Sequence, residues 1–243
     1  MPARSIHMLS LPASNDMKNA SSWFLCGVLS VLCLQAPSML AKALHASPSM
    51  NIVLFLIDDL GWMDLGCQGS SYYQTPHIDS LASQGARFTD AYAACAVCSP
   101  TRAALLTGKY PARLLLTDWL PSGRWYPNAK LREGRRVRAL PVEEWTLAEA
   151  LREAGYRTAS VGKWHLGTEG FMPELQGFDF TATVNHAGQP GSYFAPYGNQ
   201  NAPQSAVPDL EGDSAGTYLT DRLTDVSLDF MERNRDRPFF LTL

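Results

Sequence analysis

Residues 51–62 read NIVLFLIDDLGW, six apolar side chains at 52–57 running straight into Asp58 and Asp59. An unbroken apolar run of this length that ends in charge reads as a strand buried on both faces, and such strands belong to parallel sheets covered by helices on each side. We therefore expect a central parallel strand at 52–57. The sequence around it keeps the same grammar. Thr75 and Pro76 offer an N-cap and a first-turn proline to a short helix whose face is Ile78, Leu81 and Ala82 and whose stop is Gly85. Ser99 and Pro100 open a second helix in the same way, with Ser99 as the cap. Thr146-Leu147-Ala148-Glu149 is a capping box for a third, which ends at Gly155 and leads into a strand at 158–161. Leu223, Val226 and Phe230 line one face of a fourth helix, followed by Pro238 and an apolar strand at 239–243. This alternation predicts an α/β domain, a mostly parallel central sheet flanked by helices, with ligands at the carboxyl ends of its strands. Two stretches, 117–141 and 177–216, read as loop, and no repeat or linker marks a second domain.

Twenty basic against 23 acidic side chains give a net charge of −3, so the total charge excludes a strongly basic nucleic-acid binder and any anion recognition must be local. Lys18, the apolar run 23–34 and the small-x-small triplet Ala41-Lys42-Ala43, with a second cleavage position after Ala46, form the pattern of a secretory signal, read more naturally from Met17. The run is about 12 residues, short of the roughly 20 that span a bilayer. We expect residues 1–46 to be a leader outside the fold, the domain to occupy 49–243, and the mature protein to be secreted or periplasmic with no membrane span. Export leaves Cys67, Cys95 and Cys98, an odd number and a poor disulfide framework.

Three pieces carry chemistry. Asp58-Asp59 is either a turn or a hard-cation site, because adjacent carboxylates repel unless a cation neutralises them. Their side chains would point to opposite faces of an ideal strand, so joint coordination needs the chain to turn there. In AVCSPTRAALLTG (96–108) Cys98 precedes a helix whose free N–H groups favour an anion, and Arg102 adds a planar cation suited to oxyanions; a buried structural cysteine is the alternative. Cys95 and Cys98 also form a CxxC pair, for which the chain supplies neither a second pair nor histidines at zinc spacing. In Gly162-Lys163-Trp164-His165, Lys163 and His165 share one side if the segment is extended; alone, His165 reads first as a structural histidine. His77 reads as a first-turn helix residue and His186 as a loop residue. Arg132, Arg135, Arg136 and Arg138, with Trp119, Trp125 and Tyr126, make either a solvated loop or a surface for a sulfated sugar.

Together these pieces resemble a known family. CSPTR matches the CxPxR signature of the formylglycine-dependent sulfatases of the alkaline phosphatase superfamily, VCSPTRAALLTGKYPAR resembles their first signature region, NIVLFLIDDLGW their N-terminal metal-binding strand, and GYRTASVGKWHLG their second signature. The resemblance implies an alkaline-phosphatase-like fold, a sulfate-ester substrate such as a sulfated polysaccharide or an aryl sulfate, and a maturation enzyme that oxidises Cys98 to formylglycine. It implies that the hydrated aldehyde attacks sulfur, and that the resulting sulfated hemiacetal expels sulfate when its second hydroxyl loses a proton. By the same resemblance Asp58, Asp59 and modified Cys98 hold a divalent cation, calcium or else magnesium; Arg102 holds the formylglycine hydroxylate, Lys163 contacts the sulfate, and His165 is the base for elimination. Calcium takes about 6 to 8 oxygen donors and these motifs supply three residues. The family's other ligands and its general acid follow a strand like 239–243, so the chain is expected to be the N-terminal part of the domain, incomplete at its C-terminus and nearly inactive alone. A phosphodiesterase or phosphonate hydrolase of the same superfamily, and a non-catalytic secreted module that binds sulfated ligands, are the rival readings.

Overall fold

Four strands, paired in parallel throughout, carry the fold in a computed structural model that describes residues 50–120, 128, 130–131, 134–184, 188–198, 207, 210 and 212–243. The leader read at 1–46, and Trp125, Tyr126, Arg132 and His186, lie outside the described residues. The strands are β1 (Ile52–Leu54), β2 (Arg157–Lys163), β3 (Phe180–Val184) and β4 (Phe239–Thr242), in the order β1-β4-β2-β3. Phe240 stands opposite Ile52 on one side and Thr158 on the other, and Ala159 opposite Phe180. The helices are α1 (Pro76–Gln84), α2 (Cys98–Thr107), the single turn α3 (Pro111–Leu114), α4 (Leu147–Glu153) and α5 (Leu219–Arg233).

Side-chain alternation along β4 divides the core in two. Phe240 enters a cluster with Ala103 and Leu106 of α2, Ala148 of α4, Trp164 and Phe178, and its ring stacks on Phe178 at a centroid distance of 6.1 Å. Phe239 and Leu241 enter the opposite cluster with Ala159, Val161 and Phe230, against which Leu223 and Val226 of α5 also pack. The face expected for α5 is therefore the one that covers the sheet, and the architecture is helix, sheet, helix.

Other expectations need correction. β1 is not central: it is three residues long, stands at the edge of the described sheet, and leaves Phe55 59% and Ile57 49% exposed. Its pairing with β4 does continue beyond the strand, Leu243 N–H donating to Leu54 O and Leu56 N–H to Leu243 O, both at 2.9 Å. The buried central place belongs to β4, whose Phe239, Phe240 and Leu241 are all under 4% exposed. An apolar run announces a demand for burial; its neighbours decide whether the demand is met. α1 buries no residue and Leu81 is exposed, because that helix is held by polar contacts: Asp79 accepts from Cys67 N–H at 2.7 Å and from the Thr75 hydroxyl at 3.0 Å. Thr75 accepts from Gly66 N–H and makes no cap bond to its own helix. β3 lies inside the stretch 177–216 that reads as loop; its five residues are too few to stand out between glycine- and proline-rich flanks.

The capping box of α4 forms as expected. Glu149 N–H donates to the Thr146 hydroxyl at 3.1 Å and Thr146 N–H donates to the Glu149 carboxylate at 2.8 Å. The Thr146 hydroxyl then donates to Gln176 O at 2.7 Å, tying the helix to the turn before β3. Phe240 fills the middle of the sheet with 0% exposure, so Phe240→Ala should lower stability by about 3–5 kcal/mol, read as a fall in the urea midpoint with an unchanged slope.

Candidate active site

Asp58 follows the carboxyl end of β1, and the backbone turns left-handed at Asp59, φ 58°. That is the turn joint coordination requires, and Asp is among the residues that tolerate this region. Asp58 and Asp59 thus both line one cavity of about 250 Å³, together with Cys95, Cys98 and Arg102. Cys98 is the first residue of α2, and Val97, in extended backbone, is the N-cap. The cap expected at Ser99 does not form. Ser99 is fully buried and its hydroxyl accepts a hydrogen bond from Leu120 N–H at 3.1 Å. Cys67, Cys95 and Cys98 are free thiols, so the CxxC pair is not joined.

Arg102 lies one turn into α2 and Lys163 is the last residue of β2, which brings both to Asp58. Lys163 Nζ meets Asp58 Oδ2 at 2.6 Å and Arg102 Nη2 meets the same oxygen at 3.1 Å, while Arg102 Nη1 donates to Lys163 O at 2.6 Å. Partial burial pushes the Asp58 carboxyl up, but the ammonium of Lys163 and the guanidinium of Arg102 outweigh it and hold the group below the usual carboxylate range. Asp58, Arg102 and Lys163 also line a larger, more apolar cavity of about 500 Å³ that includes Trp164 and Tyr193.

His165 is placed differently from the expectation. β2 ends at Lys163 and His165 adopts φ 57°, so the two do not share a side by strand alternation. The ring is 3% exposed, lines neither cavity, and its Nε2 meets the carbonyl of Leu120. A carbonyl only accepts, so Nε2 carries the proton and Nδ1, which has no partner among the described residues, keeps its lone pair. Burial lowers the affinity of the ring for a second proton; the Leu120 carbonyl opposes that, the charges of Lys163 and Arg102 add to it, and Asp58 opposes it. Sequence reasoning had no route to Leu120, since a backbone carbonyl leaves no trace in residue type.

Asp58 and Asp59 offer the hard oxygens that calcium or magnesium prefers, whereas a thiol at 98 does not. Among the described residues no three His, Cys, Asp or Glu side chains are gathered as a metal cluster. The fit therefore extends to the two carboxylates, and to residue 98 only once it presents oxygen. His77 is an exposed first-turn residue of α1 and lines neither cavity, as read from the sequence. Of the arginines, the Arg136 side chain is 6% exposed and lies 3.7 Å from Asp118, while Arg135 and Arg138 face solvent. Arg135, Arg136 and Arg138 do not form one equivalent surface.

Two measurements follow from this geometry. A buried imidazole held neutral must charge on unfolding, so its contribution to stability is present above the unfolded value near 6.5 and is lost as pH falls below it. His165→Gln should flatten the slope of the urea midpoint between about pH 7 and 5, and an unchanged slope would contradict the assignment. Arg136→Ala should destabilise the fold by about 1–3 kcal/mol, while Arg135→Ala should leave the midpoint within about 0.5 kcal/mol.

Similarity to known proteins is specific. The Sulfatase family profile matches residues 50–243. N-acetylgalactosamine-6-sulfatase of Canis lupus familiaris is 37% identical over 239 residues, covering 91% of this chain and 42% of its own length. Ps i-CgsB, whose structure was solved in complex with k-i-k-neocarrahexaose, is 33% identical with a TM-score of 0.61, over 80% of this chain and 44% of that one. A protein solved with its substrate D-glucosamine-2-N,6-O-disulfate is 28% identical with a TM-score of 0.56, over 80% of this chain and 33% of that one. The chain thus spans less than half the length of these proteins. The parallel sheet flanked by helices is the sulfatase, alkaline-phosphatase-like fold, in part. A profile that covers four fifths of the chain, with its signature residues meeting at Asp58, establishes that the chain belongs to the Sulfatase family.

Proposed function

We propose that this chain carries the nucleophile and the sulfate-binding groups of an exported sulfuric ester hydrolase acting on a sulfated glycan. The single observation that supports it best is the meeting of α2, β2 and the segment after β1 on one carboxylate oxygen, Asp58 Oδ2, beside the helix terminus that bears Cys98. In this reading a maturation enzyme converts Cys98 to formylglycine, whose hydrate supplies an oxygen nucleophile that a thiol cannot replace. A calcium or magnesium ion held by Asp58 and Asp59 would supply Lewis-acid polarisation of the sulfate.

The chain's own groups do the rest. The first N–H groups of α2 and the guanidinium of Arg102 stabilise negative charge on the oxygen of residue 98. Lys163 binds a sulfate oxygen, and His165, buried and outside both cavities, receives the proton of the second hydroxyl where that hydroxyl or a relaying water reaches its Nδ1. A sulfated sugar suits exposed Arg135, Arg138 and Trp119 of the stretch 117–141, which can offer it cations and a ring face. The amino-sugar sulfates named for the similar proteins point to the same substrate class. With three donor residues against the 6 to 8 oxygens of calcium, turnover by these residues alone should be slight.

The test does not need turnover. Co-expression of the chain with a formylglycine-generating enzyme, followed by mass spectrometry of the peptide bearing Cys98, should show loss of sulfur and gain of an aldehyde. A persistent thiol, or a Cys95–Cys98 disulfide, would overturn the reading. Lys163→Ala should weaken binding of a sulfated monosaccharide by roughly tenfold in calorimetry, and tighter binding of the phosphorylated sugar would favour a phosphoryl-transfer enzyme instead.

A further inference from the structure

Ser99 sits next to the nucleophile, yet its hydroxyl is turned away from it. It is 0% exposed, does not cap its helix, and accepts the N–H of Leu120 at 3.1 Å from 21 residues away. The carbonyl of that same Leu120 residue accepts from His165 Nε2. A single chain of hydrogen bonds thus runs from the first turn of α2, through the backbone of one residue, to the imidazole. Gly188 packs against the same ring: a Cβ there would come within 2.7 Å of Cε1 and 3.0 Å of both Nδ1 and Nε2, so only glycine lets the ring occupy this position. A carbonyl and a glycine thus fix the position of the ring.

We infer that Ser99 is a positioning residue: through Leu120 it holds the proton on Nε2 of His165 and leaves the lone pair of Nδ1 as the atom that takes a proton. The bookkeeping is simple. When a ligand hydroxyl or a water meets Nδ1, Nδ1 gains that donor's proton, Nε2 keeps its own hydrogen bond to Leu120 O, and the imidazolium returns the Nδ1 proton to water. Two features make this more than packing. Nδ1 belongs to a side chain 3% exposed and has no partner among the described residues, which is costly unless a ligand or water meets it. The alternative tautomer would set a bare Nε2 lone pair against a carbonyl oxygen, a repulsive contact. Burial first, and then the charges of Lys163 and Arg102, favour the neutral ring, against the Leu120 carbonyl and Asp58.

The proton's use in sulfate-ester cleavage rests on the function proposed above; the tautomer and its control by Ser99 do not. Long-range ¹H–¹⁵N correlation of the histidine rings in the full chain, with His165 assigned through His165→Gln, reads the tautomer directly. We expect wild-type His165 to carry its proton on Nε2, exchanging slowly with solvent. Ser99→Ala, a substitution that a helix first turn accepts readily, should give a mixture of tautomers and Nε2–H exchange at least about tenfold faster, with Ser99→Thr restoring the wild-type pattern. A proton on Nδ1 in the wild type ends the inference by itself, whatever the variants do. An Ser99→Ala protein with unchanged tautomer and exchange ends it too. If Cys98 stays a thiol in the co-expression experiment while these ring signals behave as expected, the sulfatase reading fails and the positioning role stands.

Discussion

The carboxylate of Asp58 is the point on which the site depends. It follows β1, the lysine that reaches it ends β2, and the arginine that reaches it rises from α2. Three elements far apart in sequence are therefore joined by one oxygen, at the carboxyl ends of the parallel strands where this architecture concentrates ligand chemistry. The second arm of Arg102, bonded to the backbone of Lys163, means that the cations cannot separate without breaking a further hydrogen bond. A partly buried carboxylate with two cations is a poised arrangement: each partner compensates the desolvation of the others, and loss of any one leaves charge uncompensated.

The same economy places the histidine. A left-handed residue after β2 is unusual for a side chain of this size, and it redirects His165 away from the line that Lys163 follows. The ring is then caught by the backbone of Leu120, which is itself caught by Ser99. The residue beside Cys98 and the residue two past Lys163 are linked by the backbone of a residue that neither signature contains. The aromatic packing behind them, Trp164 against Phe178 and Phe178 against Phe240, supports the end of β2 that carries both groups.

β4 is what makes the sheet a core. It pairs with β1 and β2 at once, and its two phenylalanines and Leu241 serve both helical layers. β1 gains its place by pairing with β4 on one side only, which leaves its apolar side chains partly exposed and the acidic turn at its end accessible to the cavity.

Much of this was legible in residue order. The capping box at Thr146, the helical face of α5, the strand after Pro238 and the ordered signatures around Asp58, Cys98 and Lys163 are local patterns, and local patterns are set by neighbours three or four residues away. The amino-acid sequence by itself therefore determined the alternation of helix and strand, the family, and the identity of the side chains that meet at the site. Only the tertiary structure decided which strand is central, that Arg136 folds inward while Arg135 does not, and that Ser99 speaks to His165 through Leu120. Those outcomes depend on contacts between segments 20 to 190 residues apart, roughly, and on backbone atoms identical in every residue, so no residue type announces them.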